Sequence, residues 1–321
     1  MGNVKTSGQD ARVLALIGAN GMLARKVAEL AKAAYQVHGF DLPEFDLADE
    51  SNVRTTLNDF RPDVIINCAA YNAVDDCESN ADHAFLVNGR GPGLLAEEAR
   101  KLGATLVHFS TDYVFDGNNQ TPYLETDRPV PLSVYGRSKF AGEESIIESG
   151  HNRYFIIRTS WLYGPGGGNF VETIVRLAKE REELRVIDDQ IGSPTYTGDL
   201  AQAALNLLDL EIAVDREELP LPGTDCSAPV NHSSPYGIYH FSNDGVCSWH
   251  GFAEAIVAAA RNAGEPIVMQ TTTPIAAAEY PMPASRPAYS VLNTDKYHKA
   301  TGAAIPGWQD SLEYYFSHDR S

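Results

Sequence analysis

The chain has little of what would place it in a membrane, on nucleic acid or in an oxidising compartment. Hydrophobic residues make up 43% of it, yet no uninterrupted apolar run approaches the ~20 residues needed to span a bilayer. Lysine and arginine number 25 against 43 aspartates and glutamates, a net charge of −18. That surface repels nucleic acid and anionic membrane, so any anionic ligand has to be met by local donors. The cysteines are Cys68, Cys77, Cys226 and Cys247, and none has C-x-x-C spacing. Cys68 sits in an apolar run, so reduced packing thiols are expected rather than disulfides or zinc ligands. No histidine falls in an H-E-x-x-H pattern, and the sequence gives no support for metal catalysis. The opening segment, MGNVKTSGQD, is polar and lacks an apolar signal region, which reads as a disordered lead-in to a cytoplasmic protein.

What is present begins with a strand, a glycine turn and a helix. Arg12–Ile17 is a short apolar run that passes into Gly18-Ala-Asn-Gly21-Met-Leu-Ala24, followed by an amphipathic helix through about residue 32. Gly18 and Gly21 permit a tight turn and a close approach of backbone to a pyrophosphate, which the free N–H groups and dipole of the helix N-terminus then stabilise. A second strand over 36–40 ends at Asp41, about 20 residues beyond the glycines, where a carboxylate would hydrogen-bond an adenosine ribose. No lysine or arginine stands beside it, which favours NADH over NADPH. By itself Asp41 also fits a solvated loop acid.

The alternation continues with a helix over 51–60, an apolar strand at Val64–Asn67, a helix over 81–102 and a strand over 105–110. Asn88 lies inside that helix, where Asn is unfavourable; a backbone or water contact and simple exposure both account for it. Tyr154–Thr159 is a further buried strand. Strands and helices in this order predict an α/β fold with a doubly wound parallel sheet and right-handed crossovers. Beyond Gly164 the rhythm changes. Helices are expected over 171–181, 199–208 (with Asp199 as N-cap) and 248–263. An exposed insertion is expected over 211–235, and a strand over 237–242 returns to the main sheet.

The whole is organised around residues 107–139. A buried strand ends in Ser110-Thr111, a polar loop expected to lie over the site follows, and a helix then carries Tyr135 and Lys139. Four apart on a helix, the two side chains share a face. A phenol with an ordinary pKa of about 10 is a poor acid–base group at neutral pH, and a neighbouring ammonium favours its ionised form. Taken alone, the pair also fits an ordinary surface contact.

Read together, Gly18-x-x-Gly21, Ser110-Thr111-Asp112-Tyr-Val-Phe115, Tyr135-x-x-x-Lys139 and Arg158-Thr-Ser-Trp161 resemble the extended short-chain dehydrogenase/reductase family. The likeness runs from about Arg12 to Trp308 and includes RPDVIINCAAYNAVDDCE, YGRSKFAGE, DDQIGSPT and PASRP. It implies a Rossmann-like NAD(P)-binding part at 11–165, with the returning strand, and a smaller C-terminal substrate-binding part at 166–236 and 243–321. It further implies hydride transfer from NADH or NADPH to the 4-keto group of a dTDP-6-deoxy-hexulose, giving dTDP-L-rhamnose. Gly18, Gly21, Met22 and Leu23 would hold the pyrophosphate; Asp41, Asp46 and Leu47 the adenosine end; Ala70, Tyr71 and Asn72 the nicotinamide side. Tyr135 would donate the proton, Lys139 would bind the nicotinamide ribose and tune Tyr135, and Thr111 with Asp112 would position the carbonyl. Trp161 would lie against the sugar, a position that core packing also explains. Arg286 would meet the diphosphate, though a surface arginine fits as well.

The chain departs from the resemblance at two places. Ala24 replaces the usual third glycine, a position that needs only smallness. Arg25-Lys26 stands where some members carry a glutamate tied to a metal-bridged dimer, which argues against that bridge while leaving a homodimer among the candidate assemblies. A nucleotide-sugar epimerase or dehydratase would use the same scaffold. A non-catalytic regulatory subunit of the kind that binds methionine adenosyltransferase is a third reading.

Overall fold

In chain order the first half runs β1 (Arg12–Ile17), α1 (Met22–Ala31), β2 (Tyr35–Phe40), α2 (Glu50–Phe60), β3 (Val64–Asn67), the single turn α3 (Val74–Cys77), α4 (Ala81–Ala84), a π-helical stretch (Phe85–Arg90), α5 (Gly91–Leu102), β4 (Thr105–Thr111), α6 (Val134–Glu148) and β5 (Tyr154–Thr159). The second half holds β6 (Leu162–Tyr163), α7 (Phe170–Glu180), β7 (Glu183–Ile187), β8 (Ile191–Gly192), β9 (Thr195–Tyr196), α8 (Thr197–Glu217), β10 (Gly237–His240), β11 (Cys247–Ser248), α9 (Trp249–Asn262), β12 (Thr271–Ile275), α10 (Asp295–Thr301) and α11 (Trp308–Tyr314). This computed structural model describes residues 11–217 and 234–320; the expected lead-in, Cys226 and most of the 211–235 insertion lie outside them.

The main sheet has the order β10-β5-β4-β3-β1-β2, and every neighbouring pair in it is parallel. Parallel strands are covered on both faces, so their apolar residues split between two cores. Leu14, Leu16, Val64, Ile66, Val107, Phe109, Phe155 and Ile157 face α1 and α8. Ala15, Ile17, Ile65, Leu106 and Ile156 face α2, α5 and the α6 residue Ile146. The chain crosses from one side of β1 to the other between β2 and β3, which opens a crevice at the strand C-termini. A separate core under β7 joins α7, α9 and α11 through residues such as Ile174, Phe252 and Trp308. Among the described residues no helix is long and apolar enough to cross a membrane.

Three expectations about the chain path need correction. The helix over 81–102 is not regular, because a π stretch interrupts it at Phe85–Arg90. Asp199 is not an N-cap: α8 starts at Thr197, and the Asp199 carboxylate instead accepts hydrogen bonds from Asn243 Nδ2 (2.7 Å) and Ser311 Oγ (2.6 Å). The insertion does not begin exposed at Glu211, since α8 continues to Glu217. Glu211 is buried against β-sheet residues, accepting from Thr105 Oγ1 at 2.6 Å and pairing with Arg12 and Arg153. Within the segment after Thr111, Phe115 stacks on Tyr123 at 4.1 Å and Tyr123 bridges to Leu292, so this loop is tied to the C-terminal segment.

Candidate active site

The C-terminal ends of β1 to β5 line one continuous groove. One lobe, of about 310 Å³, lies between the ends of β4 and β5, the first turn of α1 and the α6 face that carries Tyr135 and Lys139. The other, of about 420 Å³, runs from the glycine turn to the end of β2. Gly21, Cys68, Ala69, Ala70 and Asn72 belong to both walls.

The glycine turn is shaped for close approach. Gly18 has φ +75°, and a Cβ there would come within 2.7 Å of the Ala69 nitrogen; only glycine fits. Gly21 precedes α1 with no side-chain cap on the helix, which leaves its first N–H groups available to an anion. Met22 and Leu23 form the groove wall at that turn. Ala24 is fully buried, as its packing role requires. At the second lobe Asp41 accepts from Asn20 N and Leu42 N, at 2.7 and 2.8 Å, which fixes its carboxylate at the end of β2 beside the turn. Asp46, Leu47, Ala70, Tyr71 and Asn72 line the same lobe, and no lysine or arginine is among its described lining residues.

Thr111, Tyr135 and Lys139, the residues expected to react, converge in the first lobe. Ser133 caps α6 by accepting from Gly136 N at 3.1 Å, and the helix then presents Tyr135 and Lys139 to the groove. The Tyr135 hydroxyl lies 3.5 Å from Asn72 Oδ1 and also meets the Thr111 hydroxyl. Thr111 sits at the last residue of β4, its Oγ1 accepting from Tyr113 N at 3.2 Å and lying 3.0 Å from Asp112 Oδ1. Lys139, 2% exposed, donates to the Phe109 carbonyl at 2.7 Å.

Their acidities follow from enclosure. Burial raises the Tyr135 phenol well above its ordinary value, which keeps it a proton donor at neutral pH. Burial lowers Lys139 to about 8, with Glu143 opposing. At Tyr135 burial is the largest cause, with the Thr111 contact opposing it. Asp112, 2% exposed, is pushed up by burial to about 6.

Trp161 is also in the first lobe. Its backbone takes φ +47°, a conformation costly for a bulky residue. The ring is held by stacking on Trp249 at 3.6 Å between centroids, and Gly192 leaves room for it, since a Cβ there would strike the indole at 2.6 Å. Arg286 is not among the lining residues of either lobe; its guanidinium forms a two-pronged ion pair with Asp75 (Nη1–Oδ1 3.1 Å, Nη2–Oδ2 2.9 Å).

Two supporting residues, Asn67 and His108, escaped the sequence reading. Asn67 accepts from Ala69 N with its carbonyl oxygen, so its amide nitrogen donates to His108 Nδ1 at 3.0 Å. This leaves the His108 proton on Nε2, 3.4 Å from Lys139 Nζ. Asn67 and His108 lie inside apolar strands where only burial distinguishes them. Asn88 resolves to a backbone contact: it accepts from Tyr71 N (2.7 Å) and donates to Tyr71 O and Ser138 Oγ (both 3.0 Å). Lys26 is paired with Asp319 (2.6 Å) and Glu29 (3.0 Å).

Comparison with known proteins identifies the chain's relatives. The chain is 40% identical over 299 residues to the spore coat polysaccharide biosynthesis protein SpsK of Bacillus subtilis, covering 93% of this chain and 94% of that protein. It is 38% identical to the dTDP-4-dehydrorhamnose reductase of Burkholderia thailandensis, over 91% of this chain and 94% of that one. Among solved structures, a dTDP-4-dehydrorhamnose reductase from Bacillus anthracis in complex with NADP superposes with a TM-score of 0.81 at 37% identity, covering 96% and 99% of the two chains. The family model described as the RmlD substrate binding domain matches residues 12–321, and the chain belongs to that family.

Proposed function

We propose that the chain is a dTDP-4-dehydrorhamnose reductase, reducing the 4-keto group of a dTDP-6-deoxy-hexulose with NADH or NADPH to give dTDP-L-rhamnose. The observation that carries this reading is the convergence of Tyr135, Thr111 and Lys139 in a lobe continuous with a glycine-turn groove. Relatives named for this activity, matched over nearly their full length, support it. Residues 11–165 with the returning strand near 237–242 hold the dinucleotide, and 166–236 with 243–321 hold the sugar nucleotide. The protein is cytoplasmic in this reading.

A bound dihydronicotinamide supplies the hydride. Gly18 and Gly21 would let its pyrophosphate approach the backbone, Met22 and Leu23 would hold it through the N–H groups at the start of α1, Asp41, Asp46 and Leu47 would take the adenosine end, and Ala70, Tyr71 and Asn72 would flank the nicotinamide side. Lys139 binds the nearby ribose. Tyr135 gives its phenolic proton to the keto oxygen as that oxygen gains charge, and Thr111 donates a hydrogen bond to it; donors help most where charge develops. Asp112 sets Thr111, and Trp161 offers its face to the pyranose.

The test is to supply dTDP-4-dehydrorhamnose with NADH and with NADPH and follow the nicotinamide absorbance. Stoichiometric oxidation with formation of the 4-hydroxy sugar is expected. Turnover without net cofactor consumption would instead indicate an epimerase or dehydratase. Absence of turnover together with stoichiometric recovery of a partner enzyme would indicate the regulatory reading.

A further inference from the structure

Hydrogen-bond accounting at Thr111 exposes a conflict that Asp112 can resolve. A threonine hydroxyl has one proton to give and two lone pairs to fill. Tyr113 N–H occupies one lone pair of Thr111 Oγ1, at 3.2 Å. Asp112 Oδ1, at 3.0 Å, and the Tyr135 hydroxyl are its other neighbours. When Asp112 is a carboxylate it has no proton, so the Thr111 proton must go to Oδ1. The Tyr135 proton goes to Asn72 Oδ1, 3.5 Å away. The Thr111 donor that a ketone would need is then spent within the wall.

When Asp112 Oδ1 carries the proton, the polarity reverses. Asp112 donates to Thr111, both Thr111 lone pairs are filled, and the Thr111 proton is free to point into the groove. We propose that Asp112 is a positioning residue whose protonation turns the Thr111 hydroxyl toward the substrate ketone. This inference rests on the reductase reading of the site.

Three features of the surroundings favour it. Asp112 is 2% exposed, so a charge there is costly. Its Oδ2 is buried without a hydrogen-bond partner, which a full carboxylate tolerates poorly. Its acidity is shifted in the same direction, to about 6. The groups facing it are Tyr113 from its own turn, Tyr135 from α6 and the Ser290 hydroxyl from the C-terminal segment. The Arg286–Asp75 pair acts on Tyr113, and Lys139 in the same lobe titrates higher, at about 8. Bound cofactor excludes more water and moves the Asp112 titration upward.

The experiment follows kcat/KM for the keto sugar against pH at saturating cofactor. In the wild-type protein it should fall about tenfold per pH unit above a midpoint of about 6 or higher. Asp112→Asn is neutral at every pH and its amide can donate to Thr111, so its profile should stay flat within about twofold over the same range, whatever its absolute rate. Infrared difference spectra of the wild-type protein should lose a protonated-carboxyl band at the kinetic midpoint. A descending limb that persists unchanged in Asp112→Asn overturns the proposal, as does a wild-type profile without the limb. Should the variant fail to fold, the wild-type spectra decide alone, and a carboxyl midpoint that differs from the kinetic one overturns it. A wild-type protein with no reductase turnover at any pH overturns the reading of the site and this inference with it.

Discussion

Tyr135, Asp112 and Asp41 each have an environment that sets a measurable consequence. Tyr135 is kept protonated by burial and is the only phenol in the described lining of the first lobe. A Tyr135→Phe protein should bind NADH normally in a fluorescence titration yet lose on the order of 10²–10⁴-fold in kcat, the usual worth of a positioned proton donor. Asp112 has its acidity raised from 3.8 to about 6. Its ionisation is disfavoured in the fold, so its contribution to stability is complete below about 4 and is lost as pH rises through about 6. Comparing urea unfolding of wild type and Asp112→Asn, the wild-type protein should lose on the order of 3 kcal/mol relative to the variant between pH 4 and pH 7. Asp41 projects a carboxylate beside the glycine turn with no described cation in that lobe, which repels a 2′-phosphate. Asp41→Asn should raise kcat/KM for NADPH relative to NADH; an unchanged ratio would place the ribose elsewhere.

The elements that hold these residues owe their form to a mixture of local and distant causes. Caps at Asp49, Ser133, Asn169 and Ser248 are local, and each accepts from a backbone N–H three residues on. The π stretch has no such local signature. It coincides with Asn88, whose amide pairs with both backbone groups of Tyr71 in the groove beside the glycine turn. Asn88→Ala would leave those groups unpaired, at about 1–3 kcal/mol, and should raise the Kd for NADH while leaving the fold cooperative by circular dichroism. A second tie is the buried pair Glu143–Arg158 (2.7 Å), which joins α6 to β5 while Glu143 also accepts from Ser110 of β4 at 2.5 Å. Removing one partner of a buried pair leaves an uncompensated charge. Glu143→Gln should therefore lower stability by about 3–5 kcal/mol, read as a fall in the denaturation midpoint.

Across the whole molecule, charge and topology act on function in opposite ways. A net charge of −18 opposes approach of an anionic sugar nucleotide. Raising ionic strength from about 0.01 to 0.15 M shortens the screening length from about 30 to 8 Å, so kcat/KM should rise severalfold; a fall would mean that a local positive field controls encounter. The sequence by itself determined the alternation of strands and helices, the glycine turn, and the Tyr135–Lys139 spacing, because these rest on short-range periodicity and backbone sterics. It also carried the motif order that marks the family. What only the tertiary structure decided are the partners of buried polar groups: Arg286 on Asp75, Glu211 on Thr105 and two arginines, Asp199 on Asn243 and Ser311, Trp161 on Trp249, and Thr111 on Asp112. Most of these pairs join residues far apart in the chain, and in each the choice of partner depends on which groups are left without water once the sheet has closed.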